Sequence, residues 1–260
     1  MKVVVLCGGR GTRLREETEY RPKPMVEIGG RPIVWHIMKL YAHHEIWDFI
    51  LCLGYKGEVI KDYFLNYHAM NDDFTVNLGS RTRLRFHGQH TEEDWNVTLT
   101  DTGLDTLTAE RIYRVRDYLG DGPFMVTYGD GVTDLDVKAL LKFHREQGRL
   151  ATLTAVRDIS RFGVVQTDGQ GRVTGFKEKP QIQERINVGF FVFEPGVFDY
   201  LKGQRCMLEQ GPLPALAEAG QLSIYSHDGF WHCMDTYRDF LKLNELWNEG
   251  SAPWAVWDRE

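Results

Sequence analysis

Residues 3–14 read VVVLCGGRGTRL, a short apolar run that ends in a glycine-rich turn. The first five residues carry no charge and are mostly β-branched, which is typical of a strand buried on both faces of a parallel sheet. Gly8, Gly9 and Gly11 would let main-chain N–H groups approach an anion closely. A helix that begins near Thr12 would add its positive end. The spacing fits neither a dinucleotide-binding nor a P-loop motif, so a tight turn without any ligand stays open as an alternative.

Strands and helices alternate along the first half of the chain. Helices are predicted over 32–44, 57–67 and 137–147, and the first two have apolar residues at helical spacing. Short apolar runs at 49–53 and 124–128 stop at glycines and predict further strands. This alternation predicts an α/β fold whose central sheet is mixed, mostly parallel and flanked by helices.

The second half has a more β-rich pattern. The predicted elements are a hairpin of 162–166 and 172–178 around a turn at 168–171, strands at 188–193 and 222–226, and a helix at 238–247. Trp254 and Trp257 in the tail need an apolar cover. We expect a second subunit to provide it, which makes the protein a homo-oligomer. Residues 67–105 carry no pattern that assigns them.

The composition is that of a globular protein and argues against several classes of partner. Lys and Arg total 31 against 37 for Asp and Glu, a net charge of −6 without a dense basic run. We therefore expect neither a nucleic acid nor a membrane as a partner. The four cysteines are far apart and form no CxxC pair, which argues against a zinc site or a disulfide framework. Without a signal peptide or a long apolar run, the chain is expected in the cytoplasm.

Three charged residues are candidates for a site that binds phosphates and a metal. Lys23 lies between Pro22 and Pro24, which stiffen the backbone and hold the ammonium within reach of the upstream turn. Asp130 follows a predicted strand, at the end where α/β sheets bind ligands, and Asp235 follows another extended run. Two carboxylates together with phosphate oxygens suit Mg²⁺. The residues alone leave open a solvated lysine, an ordinary turn aspartate at 130 and a helix N-cap at 235.

Several segments resemble, in sequence and in order, the signature of the sugar-1-phosphate nucleotidylyltransferases: LCGGRGTRL at 6–14, PKPMV at 22–26 and IGGRPI at 28–33. Further segments are similar to the glucose-1-phosphate cytidylyltransferase branch of that family: WHIMK at 35–39, GYKG at 54–57, WNV at 95–97, TYGDG at 127–131, FKEKP at 176–180, GFFV at 189–192 and MDT at 234–236. The resemblance extends from residue 1 to about residue 257.

The resemblance implies a Rossmann-like fold and an enzyme that joins two small-molecule substrates. It implies transfer of the cytidylyl group of CTP to α-D-glucose 1-phosphate, with release of pyrophosphate and with Mg²⁺ as cofactor. We expect a single domain over 1–260, with a nucleotide-binding half over 1–150, a small β-rich sugar-binding half over 151–236, and a C-terminal helix and tail over 237–260.

The resemblance also implies a role for each matched residue. The residues implied to bind the nucleotide are Leu6, Gly8, Gly9, Arg10, Gly11, Thr12, Arg13, Lys23, Thr106, Arg111 and Gly129. Those implied to bind the sugar phosphate are Tyr128, Glu178, Lys179, Asn187 and Gly189. Arg13 would meet the leaving pyrophosphate, Lys23 would face the α-phosphate, and Arg111 with Thr106 would contact the nucleotide from the edge. Asp130 and Asp235 would hold Mg²⁺.

Three departures from the family pattern concern the substrates more than the reaction. Cys7 replaces the usual alanine, Ala109-Glu110 replaces two glycines, and Val188 replaces a third. Glu110 would oppose a triphosphate unless it is paired or points away, and Val188 needs room beside the sugar. The same reaction with UTP, dTTP or GTP, or with another sugar 1-phosphate, stays open. A non-catalytic, ligand-sensing relative is the alternative from another class.

Overall fold

The computed structural model describes residues 1–79, 83–87, 92, 94–157, 163–178 and 184–258. Its strands are β1 (Lys2–Leu6), β2 (Glu27–Ile28), β3 (Arg31–Pro32), β4 (Asp48–Leu53), β5 (Phe74–Val76), β6 (Leu84–Phe86), β7 (Asn96–Asp101), β8 (Phe124–Tyr128), β9 (Gly131–Thr133), β10 (Ala151–Val156), β11 (Val164–Thr167), β12 (Val173–Lys177), β13 (Ile186–Phe193), β14 (Leu222–Ser226) and β15 (Trp231–Cys233). Its α-helices are α1 (Arg15–Thr18), α2 (Ile33–His43), α3 (Gly57–Leu65), α4 (Tyr67–Asn71), α5 (Thr108–Arg114), α6 (Val137–Gln147), α7 (Phe198–Leu201), α8 (Pro212–Glu218) and α9 (Tyr237–Asn248).

Seven of these strands form a central sheet in the order β14-β10-β13-β8-β1-β4-β7. Parallel pairs join β1 to β4 and β8, β4 to β7, and β10 to β14. β13 runs antiparallel to both of its neighbours, β8 and β10. The prediction of a mixed, mostly parallel sheet is therefore confirmed.

The first strand shows why helices cover both faces of the sheet. Val3 and Val5 belong to one apolar cluster, whereas Val4 and Leu6 belong to the other. Helices α2, α6 and α9 contribute to the first cluster, and α5, α7 and α8 contribute to the second. Since successive side chains point to opposite faces, burial on both sides accounts for the continuous apolar run.

Most of the predicted elements are confirmed. Helix α6 has its predicted bounds because the Asp136 carboxylate accepts a hydrogen bond from Ala139 N (2.9 Å) and because Gly148 adopts a left-handed φ of 60°. Strands β11 and β12 form the predicted antiparallel hairpin, although Phe162, expected at its start, lies outside the described residues. The helix predicted over 57–67 is interrupted at Asn66, between α3 and α4.

Two predictions about the ends of the chain are wrong in detail. The helix expected near Thr12 is only α1, four residues long, and is too short to present a helix dipole. Trp254 is 1% exposed and is covered by its own chain, since its Nε1 donates to His36 Nδ1 (3.3 Å) and its ring packs 6.3 Å from that of Trp247. Trp257 is partly buried, with its ring 5.8 Å from that of Trp35, so both tail tryptophans are covered at least in part by the same chain.

Residues 67–105, which the sequence pattern leaves unassigned, contain α4, a hairpin of β5 and β6, and the edge strand β7. β5 and β6 are exposed along their whole length, so no buried face imposes a clear periodicity on them. Within the part of the chain that the structure describes, no helix is long and apolar enough to cross a membrane.

Candidate active site

A cavity of about 510 Å³ lies at the carboxyl ends of β1 and β8. The predicted site residues in its wall are Leu6, Gly8, Gly9, Arg10, Gly11, Thr12, Arg13, Lys23, Thr106, Arg111, Tyr128, Gly129, Asp130 and Asp235. Glu178, Asn187 and Gly189 do not line this cavity, and Lys179 lies outside the described residues. The structure thus brings together the residues predicted for the nucleotide and the metal, but only Tyr128 of those predicted for the sugar phosphate.

The glycine-rich turn is shaped by close approach of other parts of the chain. A Cβ built on Gly8 would lie 2.2 Å from Arg111 Cζ, so a larger residue there would displace the guanidinium. Gly11 has a left-handed φ of 62°, and its carbonyl accepts a hydrogen bond from Thr18 Oγ1 (2.9 Å). A Cβ on Gly9, in contrast, would meet no atom within 4 Å. The turn is therefore tight against the protein at Gly8 and Gly11 and open at Gly9.

Arg111 supports this turn through a hydrogen bond to the main-chain carbonyl of Gly8. It is 4% exposed, and its guanidinium donates to Leu53 O (2.9 Å), Thr102 Oγ1 (2.6 Å) and Gly8 O (3.2 Å). Burial lowers the pKa of this guanidinium. Arg111 lines the cavity, as expected for a contact with the edge of the nucleotide. Its hydrogen bonds, however, go to the protein itself. Its geometry is that of a support for the glycine turn.

Two cations and two carboxylates meet beside the glycine turn, where a Cβ on Gly11 would lie 3.3 Å from Lys23 Cβ. Lys23, 9% exposed, places Nζ 2.7 Å from Asp130 Oδ2 and 2.5 Å from Asp235 Oδ1. Arg13, which is exposed, places Nη1 2.7 Å from Asp235 Oδ2. Lys23 lies in a short 3-10 turn in which Met25 N donates to Pro22 O (2.8 Å), so the backbone around it is fixed as predicted. A solvated surface lysine is therefore the wrong interpretation of position 23.

Pairing of two short strands brings the distant aspartates together. Asp130 directly precedes β9, and one residue, Met234, separates Asp235 from the end of β15. β9 and β15 are antiparallel, with Cys233 opposite Gly131, and Met234 N donates to Asp130 O (2.8 Å). The two carboxylates consequently face one another across the end of a ladder.

The charges in this cluster shift each other's pKa. Burial alone would raise the pKa of Asp235, but the hydrogen bond and charge of Lys23, helped by Arg13, outweigh it and lower that pKa. Burial alone would lower the pKa of Lys23, but the charge and hydrogen bond of Asp130 and the hydrogen bond of Asp235 hold it above its ordinary value. Lys23 and Asp235 are therefore both ionised at neutral pH.

The donor atoms of this cluster fit a hard divalent cation. An oxygen of Asp130, an oxygen of Asp235 and Sγ of Cys233 lie within 4.8 Å of one another. Because Lys23 Nζ contacts both carboxylates, their oxygens already converge on one positive charge. Mg²⁺ takes one or two carboxylates with phosphate oxygens and water, whereas a thiol suits softer metals. The two aspartates, without Cys233, are thus a suitable set for Mg²⁺.

Asp235 is not the helix N-cap that its position before α9 allows. Thr236 has that place: its Oγ1 accepts from Asp239 N (3.3 Å), and Asp239 Oδ2 accepts from Thr236 N (2.8 Å), a reciprocal capping box. The Asp235 carboxylate is therefore free of the helix and available to the cavity.

The departures at 109–110 and 188 are accommodated away from the cavity. Glu110 pairs with Arg114 (2.6 Å) one helical turn along α5, and it does not line the cavity. Val188 is 4% exposed and belongs to the apolar core. The constrained position is instead Gly189, whose φ is 79° and whose Cβ would lie 2.4 Å from Tyr128 Cδ2.

Of the residues predicted for the sugar phosphate, Tyr128 lines the cavity, whereas the other described ones do not. Tyr128 lines the cavity and donates its hydroxyl hydrogen to the Glu209 carboxylate. Asn187 Oδ1 accepts from Gly189 N (3.0 Å), and Glu178 is exposed at the end of β12.

Sequence reasoning missed one wall of the cavity. Its residues are Leu104, Asp105, Leu107, Thr108 and Met207. Asp105 pairs with Arg10 (2.7 Å), and Thr108 Oγ1 accepts from Leu208 N (2.8 Å), which attaches the first residue of α5 to the 3-10 turn before α8. No motif marks these positions, because the contacts depend on a loop and a distant 3-10 turn.

Comparison with known proteins agrees with this arrangement. Residues 2–249 match the family model for nucleotidyl transferases. The glucose-1-phosphate cytidylyltransferases of Salmonella typhi and Salmonella typhimurium are each 50% identical to this chain over 260 residues, which cover 99% of this chain and 100% of theirs. The crystal structure of HddC from Yersinia pseudotuberculosis, complexed with GMP-PN, has a TM-score of 0.68 at 20% identity and covers 95% of this chain and 99% of its own. With the same fold, a glycine turn and a lysine–aspartate cluster in one cavity, this chain belongs to the nucleotidyl transferase family.

Proposed function

We propose that this chain transfers the cytidylyl group of CTP to α-D-glucose 1-phosphate and releases CDP-glucose and pyrophosphate. The observation that carries the proposal is the 50% identity with glucose-1-phosphate cytidylyltransferases over the whole of both chains. The cavity supports the same reaction class, because it combines a glycine turn with cations and carboxylates but needs no nucleophilic side chain.

The reaction that we propose is an in-line displacement at the α-phosphorus. An oxygen of the sugar phosphate forms a bond to that phosphorus, and the bond from phosphorus to the pyrophosphate oxygen breaks. The attacking phosphate is already ionised at neutral pH, so no residue has to remove a proton from it. Catalysis then depends on positioning the two anions and on offsetting their charge.

Lys23 and Arg13 are the groups that we propose to offset this charge. Both stand at the cavity and both are paired with Asp235, so their positive ends are already directed to the site. Bound phosphates would offer each cation a further anion, with Lys23 at the α-phosphate and Arg13 at the pyrophosphate. The turn from Gly8 to Thr12 would hold the triphosphate, supported from below by Arg111.

Asp130 and Asp235 are the residues that would hold Mg²⁺. When bound, the ion would supply positive charge that offsets the negative charge of the phosphate groups. The support for this proposal is the convergence of both carboxylates on Lys23 Nζ. Thr106 and Gly129 would border the nucleotide, and Tyr128 would border the sugar phosphate. We retain Glu178, Lys179, Asn187 and Gly189 as proposed sugar-side residues.

The test is to measure pyrophosphate release for CTP, UTP, dTTP and GTP, each combined with several sugar 1-phosphates. Formation of CDP-glucose from CTP and glucose 1-phosphate, identified by mass spectrometry, is the expected result. Release with another pair only would reject these substrates but retain the reaction class. No release with any pair, from a folded protein that binds nucleotide, would favour a ligand-sensing relative.

We further propose that the protein works in the cytoplasm as a homo-oligomer. The hairpin of β11 and β12 supports the second part of this proposal, because it exposes Val165 (51%) and Phe176 (63%), which a second subunit would cover. Light scattering of the purified protein should give a mass above 30.1 kDa, and a monomer mass would reject it.

A further inference from the structure

Asp239, in the first turn of α9, uses both of its carboxylate oxygens to hold the segment that carries Asp235. Oδ2 accepts hydrogen bonds from Thr236 N (2.8 Å), Thr236 Oγ1 (2.8 Å) and Asp235 N (3.2 Å). Oδ1 interacts with His232 Nε2 (3.2 Å) on β15. One side chain therefore joins the strand before Asp235, the main chain of Asp235 itself and the helix after it.

These contacts exceed what a helix cap needs. A capping box joins the N-cap residue and the third helical residue, here Thr236 and Asp239. The same carboxylate also bonds to Asp235 N, one residue before the N-cap, and to His232 on β15. At the start of α6, Asp136 caps through Ala139 N (2.9 Å) and lies 4.0 Å from His44 Nδ1, but it does not line the cavity, so it is a helix cap without a connection to the site.

The position of Asp235 matters because its carboxylate is shared. Oδ1 pairs with Lys23 (2.5 Å) and Oδ2 pairs with Arg13 (2.7 Å). The pairing of β15 with β9 ends with the bond from Met234 N to Asp130 O (2.8 Å), so it constrains position 234 but not Asp235 N, which bonds to Asp239. The contacts of Asp239 replace that constraint, and pairing with His232 also opposes rotation of the Asp239 side chain.

We propose that Asp239 is a positioning residue for the reaction: it fixes Asp235, and through Asp235 it aligns the proposed Mg²⁺ ligand, Lys23 and Arg13. The inference rests on the proposed function, because it takes Asp235 as part of the metal site. It assigns Asp239 no contact with a substrate. Its effect reaches the reaction through the placement of another carboxylate, and a misplacement of about 1 Å can cost about 10²-fold in rate.

The experiment compares Asp239→Ala and Asp239→Asn with the matched cap variant Asp136→Ala. Thermal melts report stability, and pyrophosphate release over a range of Mg²⁺ concentrations reports kcat/KM and the half-saturating Mg²⁺ concentration. Both Ala variants lose a helix cap and should melt at lower temperature. Only Asp239→Ala should also lose about 10²-fold in kcat/KM and need at least about fivefold more Mg²⁺. Asp239→Asn retains one oxygen acceptor and should recover part of both losses.

The outcomes separate the inference from the proposed function. If Asp239→Ala does not fold, Asp239→Asn alone decides, because a normal Mg²⁺ requirement in that folded variant overturns the positioning role. An effect on activity no larger than that of Asp136→Ala overturns it as well. Asp235→Asn is measured in parallel: if it leaves the Mg²⁺ requirement unchanged, the metal assignment fails and the positioning role fails with it. A raised Mg²⁺ requirement at 235 but not at 239 rejects only the positioning role.

Discussion

Replacing His36 with glutamine should remove a pH-dependent part of the chain's stability. His36 is 1% exposed; its Nε2 donates to Ile28 O (2.9 Å), and its Nδ1 accepts from Trp254 Nε1 (3.3 Å). A second ring proton, on Nδ1, would face the indole N–H, which is also a donor. Burial lowers the pKa of His36 from 6.5 to about 4; main-chain hydrogen bonds to Ile28 and Arg31 oppose this, and the Arg31 charge adds to it.

The direction of the stability change depends on whether the folded or the unfolded chain binds the proton at His36. The folded chain keeps His36 neutral down to about pH 4, whereas the unfolded chain binds a proton there below about pH 6.5. Stability from this group is therefore complete above pH 6.5 and is lost as the pH falls toward 4. The full pKa difference corresponds to about 3 kcal/mol, of which about 1.4 kcal/mol is lost at about pH 5.5.

Urea unfolding followed by tryptophan fluorescence, at about pH 7 and about pH 5.5, measures this loss. Burial also lowers the pKa of His44 and His144, so both wild type and variant lose stability on acidification. Glutamine can donate to one neighbour and accept from the other without titrating. Because about 0.2 kcal/mol is already lost at about pH 7, wild type should lose about 1.2 kcal/mol more than His36→Gln between the two pH values. Equal losses in the two proteins would refute the reasoning.

Further substitutions test the cavity. Lys23→Ala should fold normally and lower kcat/KM by about 10²–10³-fold, and a fall below about threefold would contradict its place at the α-phosphate. Asp130→Asn and Asp235→Asn should each remove most activity, with the double variant scarcely worse than the worse single one; fully multiplicative losses would mean independent roles. EDTA should inactivate the enzyme, and added Mg²⁺ should restore it. Gly8→Ala would drive a Cβ into Arg111 and should lower stability by about 1–3 kcal/mol, whereas Gly9→Ala, which meets open space, should not; equal melting temperatures would argue against this packing.

The elements with local signals could be predicted from the sequence. Helix α6 carries its own start and stop, in Asp136 and Gly148, and its predicted bounds are correct. Strands β1 and β8 are short apolar runs closed by glycines, and both lie at the centre of the sheet. The glycine turn and Lys23 also carry local signals. The turn requires small residues, and the prolines on either side of Lys23 fix its backbone.

What depends on distant contacts could not be predicted from local patterns. The meeting of Asp130 with Asp235 is produced by β9 and β15, three residues each, which are too short for a periodic signal. The support role of Arg111 needs the carbonyls of Leu53 and Gly8, which only the folded sheet brings near. Trp254 is buried, as expected, but the contact that buries it comes from His36 on α2 of the same chain and not from a second subunit.

Transfer of the cytidylyl group from CTP to glucose 1-phosphate in this cavity is tested most directly by kcat/KM for glucose 1-phosphate with CTP and with UTP, alongside CTP with mannose and galactose 1-phosphates. A pocket difference of one small group changes discrimination by about 10–200-fold, so the preferred pair should stand out clearly. We predict that CTP with glucose 1-phosphate exceeds every other pair by at least about tenfold. A preference of about tenfold or more for another base or sugar would contradict the claim.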